Sequence, residues 1–220
     1  MKHDSLIFDL DGTISDPAVG IERSINHALA AFGYPRVSGK RILACIGPPI
    51  DASFRALTGA DSEEHILALV TRFRDRYDAV GYAENSLYPG IEAVLGQLAA
   101  AGRRMGVCTS KRADFAEKIL AMFGLRELFA FVSGGDVGVS KASQLAALLR
   151  EGAAGKSSVM IGDRVFDVQA AEANGLCAFG VLWGYGSEAE LREAGAVRIY
   201  REPGELVELS DPAHWVPSAT

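Results

Sequence analysis

The spacing of apolar residues changes rhythm twice along the 220-residue chain. A short apolar run from Ser5 to Leu10 reads as a buried strand, and it ends at two carboxylates one residue apart, Asp9 and Asp11. From about Asp16 to Glu84 the period becomes helical. Ile21, Ile25, Leu29 and Phe32 share one face, and Gly33 closes that helix. Gly47-Pro48-Pro49 marks a turn or a helix start. Asp61 or Ser62 reads as an N-cap, with Glu63 and Glu64 in the first turn and Ile66, Leu69, Val70, Phe73 and Tyr77 as the apolar stripe of a long helix. No strand pattern interrupts this block, which reads as a helical insertion.

After Tyr88-Pro89-Gly90 the rhythm changes again. Helical stretches at Ile91 to Ala101, Ala113 to Phe123, Lys141 to Arg150 and Phe166 to Asn174 alternate with apolar runs. Those runs are Arg104 to Cys108, Phe129 to Ser133, Ser158 to Ile161 and Cys177 to Leu182. Strands alternating with helices predict right-handed βαβ units, hence an α/β fold whose parallel sheet carries helices on both faces. The tail from Asp211 reads as loosely held.

Composition narrows the class. The net charge of −6 and the lack of any basic run speak against a nucleic-acid surface. No apolar run approaches the ~20 residues that span a bilayer. The first apolar stretch is too short, and too interrupted by acids, for a secretory leader. Cys45, Cys108 and Cys177 are odd in number and widely spaced, as reduced thiols of a cytoplasmic protein would be. His3, His27, His65 and His214 show no metal-ligand spacing and read as structural or surface residues.

The candidate chemistry lies at the predicted strand ends, since open parallel sheets bind ligands outside their carboxyl edge. The first strand supplies Asp9 and Asp11, the second Thr109 and Ser110. The third leads to Lys141, and the fourth supplies Asp163, with Asp167 a turn later. Taken alone, Asp11-Gly12 is an ordinary turn signal. Taken together, the acids form an oxygen cage suited to a hard cation such as Mg2+, which neutralises them and keeps phosphate oxygens as co-ligands. One carboxylate can then attack phosphorus while the other moves protons. Thr109 can hold phosphoryl oxygens, and Lys141 can offset their charge.

Phe8 to Thr13 (FDLDGT), the strand ending in Thr109, Lys141 ahead of a helix, and Gly162 to Asp167 (GDRVFD) resemble the four motifs of the haloacid dehalogenase superfamily, in the family's order. The resemblance extends from about Asp4 to Leu206. It implies a Rossmann-like core and an aspartyl-phosphate mechanism with Mg2+. It also implies a nucleophile at Asp9, a general acid/base at Asp11, and phosphate contacts from Thr109, Ser110 and Lys141. The implied metal set is Asp9, Asp11 (through its backbone carbonyl), Asp163 and Asp167. The helical block resembles the family's cap, which divides the chain into a core of residues 1–15 and 85–220 and a cap of residues 16–84, hinged near Ser15 to Pro17 and Glu84 to Tyr88. Gly47 to Phe54 (GPPIDASF) resembles the cap loop of phosphoglycolate phosphatases and 5′-nucleotidases, which makes Gly47 and Arg55 candidate substrate contacts. Ala142 follows Lys141, where many phosphoglycolate phosphatases carry proline.

The expected function is a Mg2+-dependent phosphatase of a small phosphorylated metabolite, phosphoglycolate phosphatase-like. Alternatives are a 5′-nucleotidase, a sugar phosphatase or a phosphomutase. A haloacid dehalogenase needs neither metal nor second acid, so Asp11 and Thr13 argue against one. A non-catalytic phosphate-binding domain has no use for the full set. Several flanking residues have plainer readings: Lys111 as a helix-start or surface residue, Asp136 as a turn residue, Arg41 as part of a solvated cap surface, and Cys108 as a packed strand residue.

Overall fold

β1 (Leu6–Phe8) lies in the middle of a six-stranded parallel sheet, in a computed structural model that describes residues 4–215. All three of its residues are fully buried. Their alternation feeds two cores: Leu6 and Phe8 face one side of the sheet and Ile7 the other. A strand covered on both faces is apolar throughout, which is why this run does not alternate with polar residues.

The chain leaves β1 through β2 (Ser15–Asp16) and enters four helices: α1 (Ala18–Ala31), α2 (Lys40–Leu43), α3 (Ile50–Thr58) and α4 (Glu63–Ala79). Ser62 caps α4 by accepting the His65 N–H, and α3 begins directly after Pro49. Ile25, Leu29, Phe54, Leu69 and Tyr77 form a core separate from those of the sheet. The chain returns through β3 (Ser86–Leu87), which pairs antiparallel with β2. The two crossings between helical block and sheet are thus held side by side as one short ribbon, at the places the sequence marks as hinges. The sequence shows no alternation here because each strand is two residues long.

The remainder alternates: α5 (Ile91–Ala100), β4 (Met105–Thr109), α6 (Ala113–Met122), β5 (Phe129–Gly134), α7 (Lys141–Arg150), β6 (Val159–Gly162), α8 (Val165–Glu172), β7 (Cys177–Val181), α9 (Glu188–Glu193) and β8 (Arg198–Tyr200). The spatial order is β5-β4-β1-β6-β7-β8. From β1 the chain builds outward through β4 and β5, then returns to the other side of β1 with β6. The strand order therefore reverses between β1 and β6, the kind of crevice where open α/β sheets bind ligands.

Two features were not legible in the sequence. β8 is a three-residue edge strand containing Arg198, too short for a periodic signal. The tail is not loose up to Trp215. Pro203–Ser210 and Pro212–Trp215 form 3-10 turns, Leu206, Leu209 and Trp215 join the core, and the Trp215 indole N–H donates to the Leu209 carbonyl at 2.9 Å. Burial of those three apolar side chains outweighs the breaks set by Pro203 and Pro212. His3 and residues 216–220 lie outside the described residues. Among the described residues no helix is long and apolar enough to cross a membrane.

Candidate active site

The carboxyl ends of β1 and β6 place Asp9 and Asp163 on either side of the crevice, and the first turn of α8 adds Asp167. One carboxylate oxygen from each of these three buried residues falls within 4.8 Å of the others. The Asp9 Oδ1 accepts the Leu10 N–H at 2.7 Å. Asp163 accepts the Tyr185 N–H at 2.8 Å on Oδ2, and the Thr13 hydroxyl donates to Oδ1 at 3.4 Å. Asp167 sits at the third position of α8, where its Oδ2 accepts the Arg164 N–H at 3.0 Å. Burial, reinforced by Asp167 and Asp9, holds the Asp163 carboxyl well above its ordinary range. Burial likewise raises Asp167, against the pull of Lys141.

Lys141 is the first residue of α7, and its buried ammonium is 2.8 Å from Asp9 Oδ2 and paired with Asp167. Burial by itself would depress this ammonium, but Asp167 and Asp9 outweigh it and the pKa is raised. One cation thus faces three buried acids, a set short of positive charge. All available donors are oxygens, the preference of a hard divalent ion. The backbone is tailored around the acids: a Cβ on Gly12 would lie 2.2 Å from Asp163 Oδ2, and one on Gly184 2.4 Å from the same atom. Gly12, with φ of 87°, also needs the left-handed region that glycine tolerates. The acid set and its close glycine walls fit Mg2+.

Asp11 behaves differently. Its carboxylate turns away from this cluster, and Oδ2 pairs at 2.8 Å with Lys111. Oδ1 is buried without a hydrogen-bond partner. Burial lifts the Asp11 carboxyl above its ordinary range, with Lys111 opposing. The Asp11 carboxylate is therefore not part of the acid cluster, because Lys111 competes for it. Lys111 is not a surface residue: only 7% of its side chain is exposed, and its ammonium also donates to the Tyr77 hydroxyl of α4 at 2.7 Å. Sequence reasoning missed that role, although Lys111 directly follows Thr109 and Ser110 at the same sheet edge.

A cleft of about 700 Å3, open mouth included, runs from Asp9 and Asp11 toward the helical block. Thr109, Ser110, Lys111 and Gly47 line it. Thr109 is held by its carbonyl, which accepts from Gly135 N and Gln144 Nε2, and its hydroxyl accepts the Lys111 N–H at 3.3 Å. Arg55 is not brought to the cleft. Its guanidinium is captured by Glu63 at 2.6 Å and by the Asp61 carbonyl, because the acidic first turn of α4 packs beside α3. Arg41 is exposed and donates to the Leu57 carbonyl. Asp136 is more than a turn residue: it lines the cleft and pairs with Arg74 of α4 at 2.5 Å. Cys108 is fully buried, and burial pushes its thiol up to about 12, which keeps it inert as a nucleophile.

Residues 6–181 match the haloacid dehalogenase-like hydrolases. The chain belongs to this family. The tyrosine-protein kinase PtkA of Mycobacterium tuberculosis is 39% identical over 186 residues, which are 82% of this chain. That match spans only 62% of the kinase's length. A 5′-nucleotidase of Pseudomonas aeruginosa is 35% identical over 87% of this chain and 88% of its own. A phosphoglycolate phosphatase of Cereibacter sphaeroides is 36% identical over 78% and 81%. The fold superimposes on the crystal structure of a predicted phosphatase from Clostridium acetobutylicum with a TM-score of 0.88, at 33% identity and over 94% of this chain and 97% of the other. The six-stranded α/β core is thus the family's fold.

Proposed function

We propose that the protein is a Mg2+-dependent phosphatase that hydrolyses a small phosphomonoester, of the phosphoglycolate phosphatase or 5′-nucleotidase kind. The observation that carries this reading is the meeting of Asp9, Asp163, Asp167 and Lys141 at the crevice between β1 and β6. Asp9, Asp163 and Asp167, with the main chain of Asp11, would hold the metal. Bound there, Mg2+ supplies Lewis-acid charge neutralisation for phosphate and carboxylates.

Asp9 attacks phosphorus through one carboxylate oxygen, and the bond from phosphorus to the ester oxygen breaks. Asp11, whose carboxyl burial raises, carries a proton once substrate is bound and gives it to that departing oxygen, so the leaving group exits as an alcohol and the carboxylate left behind pairs with Lys111 as in the free protein. Water then attacks the acyl phosphate on Asp9. Asp11, now ionised, takes the water's proton, which returns both acids to their starting state and releases phosphate. Thr109 and Ser110 orient the phosphoryl oxygens, and the Lys141 ammonium, 2.8 Å from Asp9 Oδ2, holds Asp9 aligned.

In this reading residues 16–84 are a cap over a core of residues 1–15 and 85–220, hinged at the β2–β3 ribbon. Contacts across that boundary support closure: Tyr77 with Lys111, Arg74 with Asp136, Asp78 with Lys118, and Arg164 donating to the Ile46 carbonyl at 2.5 Å. A closed cap excludes water from the acyl phosphate until the leaving group is gone. Three free cysteines support a reducing compartment such as the cytoplasm. The test is phosphate release from p-nitrophenyl phosphate. Asp9→Asn is expected to lower kcat by at least about 10³-fold, and exhaustive chelation to abolish turnover until Mg2+ is restored. Unchanged turnover in Asp9→Asn would sink the mechanism.

A further inference from the structure

Asp51 lines the same cleft from the first turn of α3, just after Gly47-Pro48-Pro49. Its carboxylate makes no hydrogen bond or ion pair with any described residue; Oδ1 is closed off, which leaves Oδ2 as the oxygen a ligand in the cleft can reach. The cationic side chains around the cleft are in the opposite condition. Arg74 is paired with Asp136, Arg112 with Asp114, and Lys111 with Asp11. Arg55, the cation nearest in sequence to Asp51, is held by Glu63. Among the described residues, Asp51 therefore brings to this cleft a carboxylate with no counter-ion, while Arg74, Arg112 and Lys111 each already have an anion. Ile50, Phe73, Phe115 and Val137 supply the apolar remainder of the wall.

A half-buried carboxylate with no protein donor beside it is incompletely satisfied, and a ligand that donates a hydrogen bond to its accessible oxygen relieves that cost. A ligand carboxylate at the same place meets a like charge with no free cation nearby. From this we infer that Asp51 is a specificity-determining residue: it accepts a hydrogen bond from a hydroxyl of an uncharged, polyhydroxylated leaving group and disfavours a carboxylate-bearing one. The inference rests on the phosphatase reading above and ranks its substrates. Nucleoside monophosphates and sugar phosphates share the required chemistry; phosphoglycolate does not. A helix-start acid that merely complements the α3 dipole would be indifferent to the leaving group.

The experiment measures kcat/KM of the full chain with Mg2+ on 2-phosphoglycolate, ribose 5-phosphate, a sugar 6-phosphate and a set of nucleoside 5′-monophosphates. p-Nitrophenyl phosphate reports whether the chain is a phosphatase at all. The wild type is expected to favour the best hydroxylated ester over phosphoglycolate by tenfold or more. Which arm contains that ester separates sugar from nucleoside. Asp51→Ala and the isosteric Asp51→Asn are expected to shrink this ratio at least about tenfold, chiefly through KM. A wild type that prefers phosphoglycolate overturns the inference, as does a ratio untouched by both variants. No hydrolysis of p-nitrophenyl phosphate or any ester would instead overturn the phosphatase reading beneath it.

Discussion

Asp11 and Lys111 meet 2.8 Å apart with almost no access to water, and Tyr77 closes the other side of the ammonium. Removing one partner of a buried ion pair leaves an uncompensated charge, which costs far more than the pair contributes. Lys111→Met is therefore expected to lose about 3 kcal/mol of unfolding free energy in urea. The double variant Lys111→Met with Asp11→Asn is expected to lose clearly less than the sum of the two single losses, since no lone carboxylate then remains buried. Strict additivity would refute the coupling. Lys141 stands in a different balance. It pairs with two acids at once, Asp9 and Asp167, while the third acid of the cluster, Asp163, has no cation of its own beside it among the described residues.

At the scale of elements, the arrangement depends on four helix and strand ends meeting from separate parts of the chain. Arg164 ties one of these ends to the helical block. Its guanidinium donates to the Ile46 carbonyl and pairs with Glu190, and it packs so close to Gly47 that a Cβ there would lie 3.1 Å from Arg164 Cγ. The loop carrying Gly47 is thereby held against the residue next to Asp163. Arg164→Ala is expected to speed amide exchange across residues 44–50 and to raise KM by about tenfold, in line with the loss of one charge-assisted hydrogen bond. Amide exchange that stays as slow as in the wild type would show that the loop is held by its own packing. α4 contributes on the far side. Arg74, Tyr77 and Asp78 lie on one helical face, and they reach Asp136 in the loop after β5, Lys111 just after β4 and Lys118 of α6.

For the whole molecule, the C-terminal segment is part of the structure. Trp215 is 6% exposed and packs into the same core as Leu6 and Phe8, beneath the first strand. Trp215→Ala is expected to cost about 3 kcal/mol in denaturant unfolding, the usual result of emptying a large aromatic site. A loss under about 0.5 kcal/mol would mean the segment is loosely held after all. Local sequence could not reveal this packing, because Pro203 and Pro212 break any helical period and the burial of Leu206, Leu209 and Trp215 is a long-range contact.

What the sequence determined by itself is whatever depends on short-range pattern. The alternation after Pro89 specified strands and helices, and parallel strands must expose their carboxyl ends at one edge, so Asp9, Thr109 and Asp163 could be assigned to one region without coordinates. What only the tertiary structure decided depends on competition between groups distant in the chain. The sequence made Arg55 a candidate substrate contact and Lys111 a helix-start or surface residue, and the structure exchanges their places. Glu63 captured the first, while Asp11 and Tyr77 drew the second into the interior. The Asp11 carboxylate pairs with the same Lys111, and Asp51 has no ion-pair partner among the described residues, while the cations lining its cleft pair with other acids. Periodicity is a property of neighbours along the chain. The partner of a charge is settled by which opposite charge folding brings closest, and one sequence pattern is compatible with several such pairings.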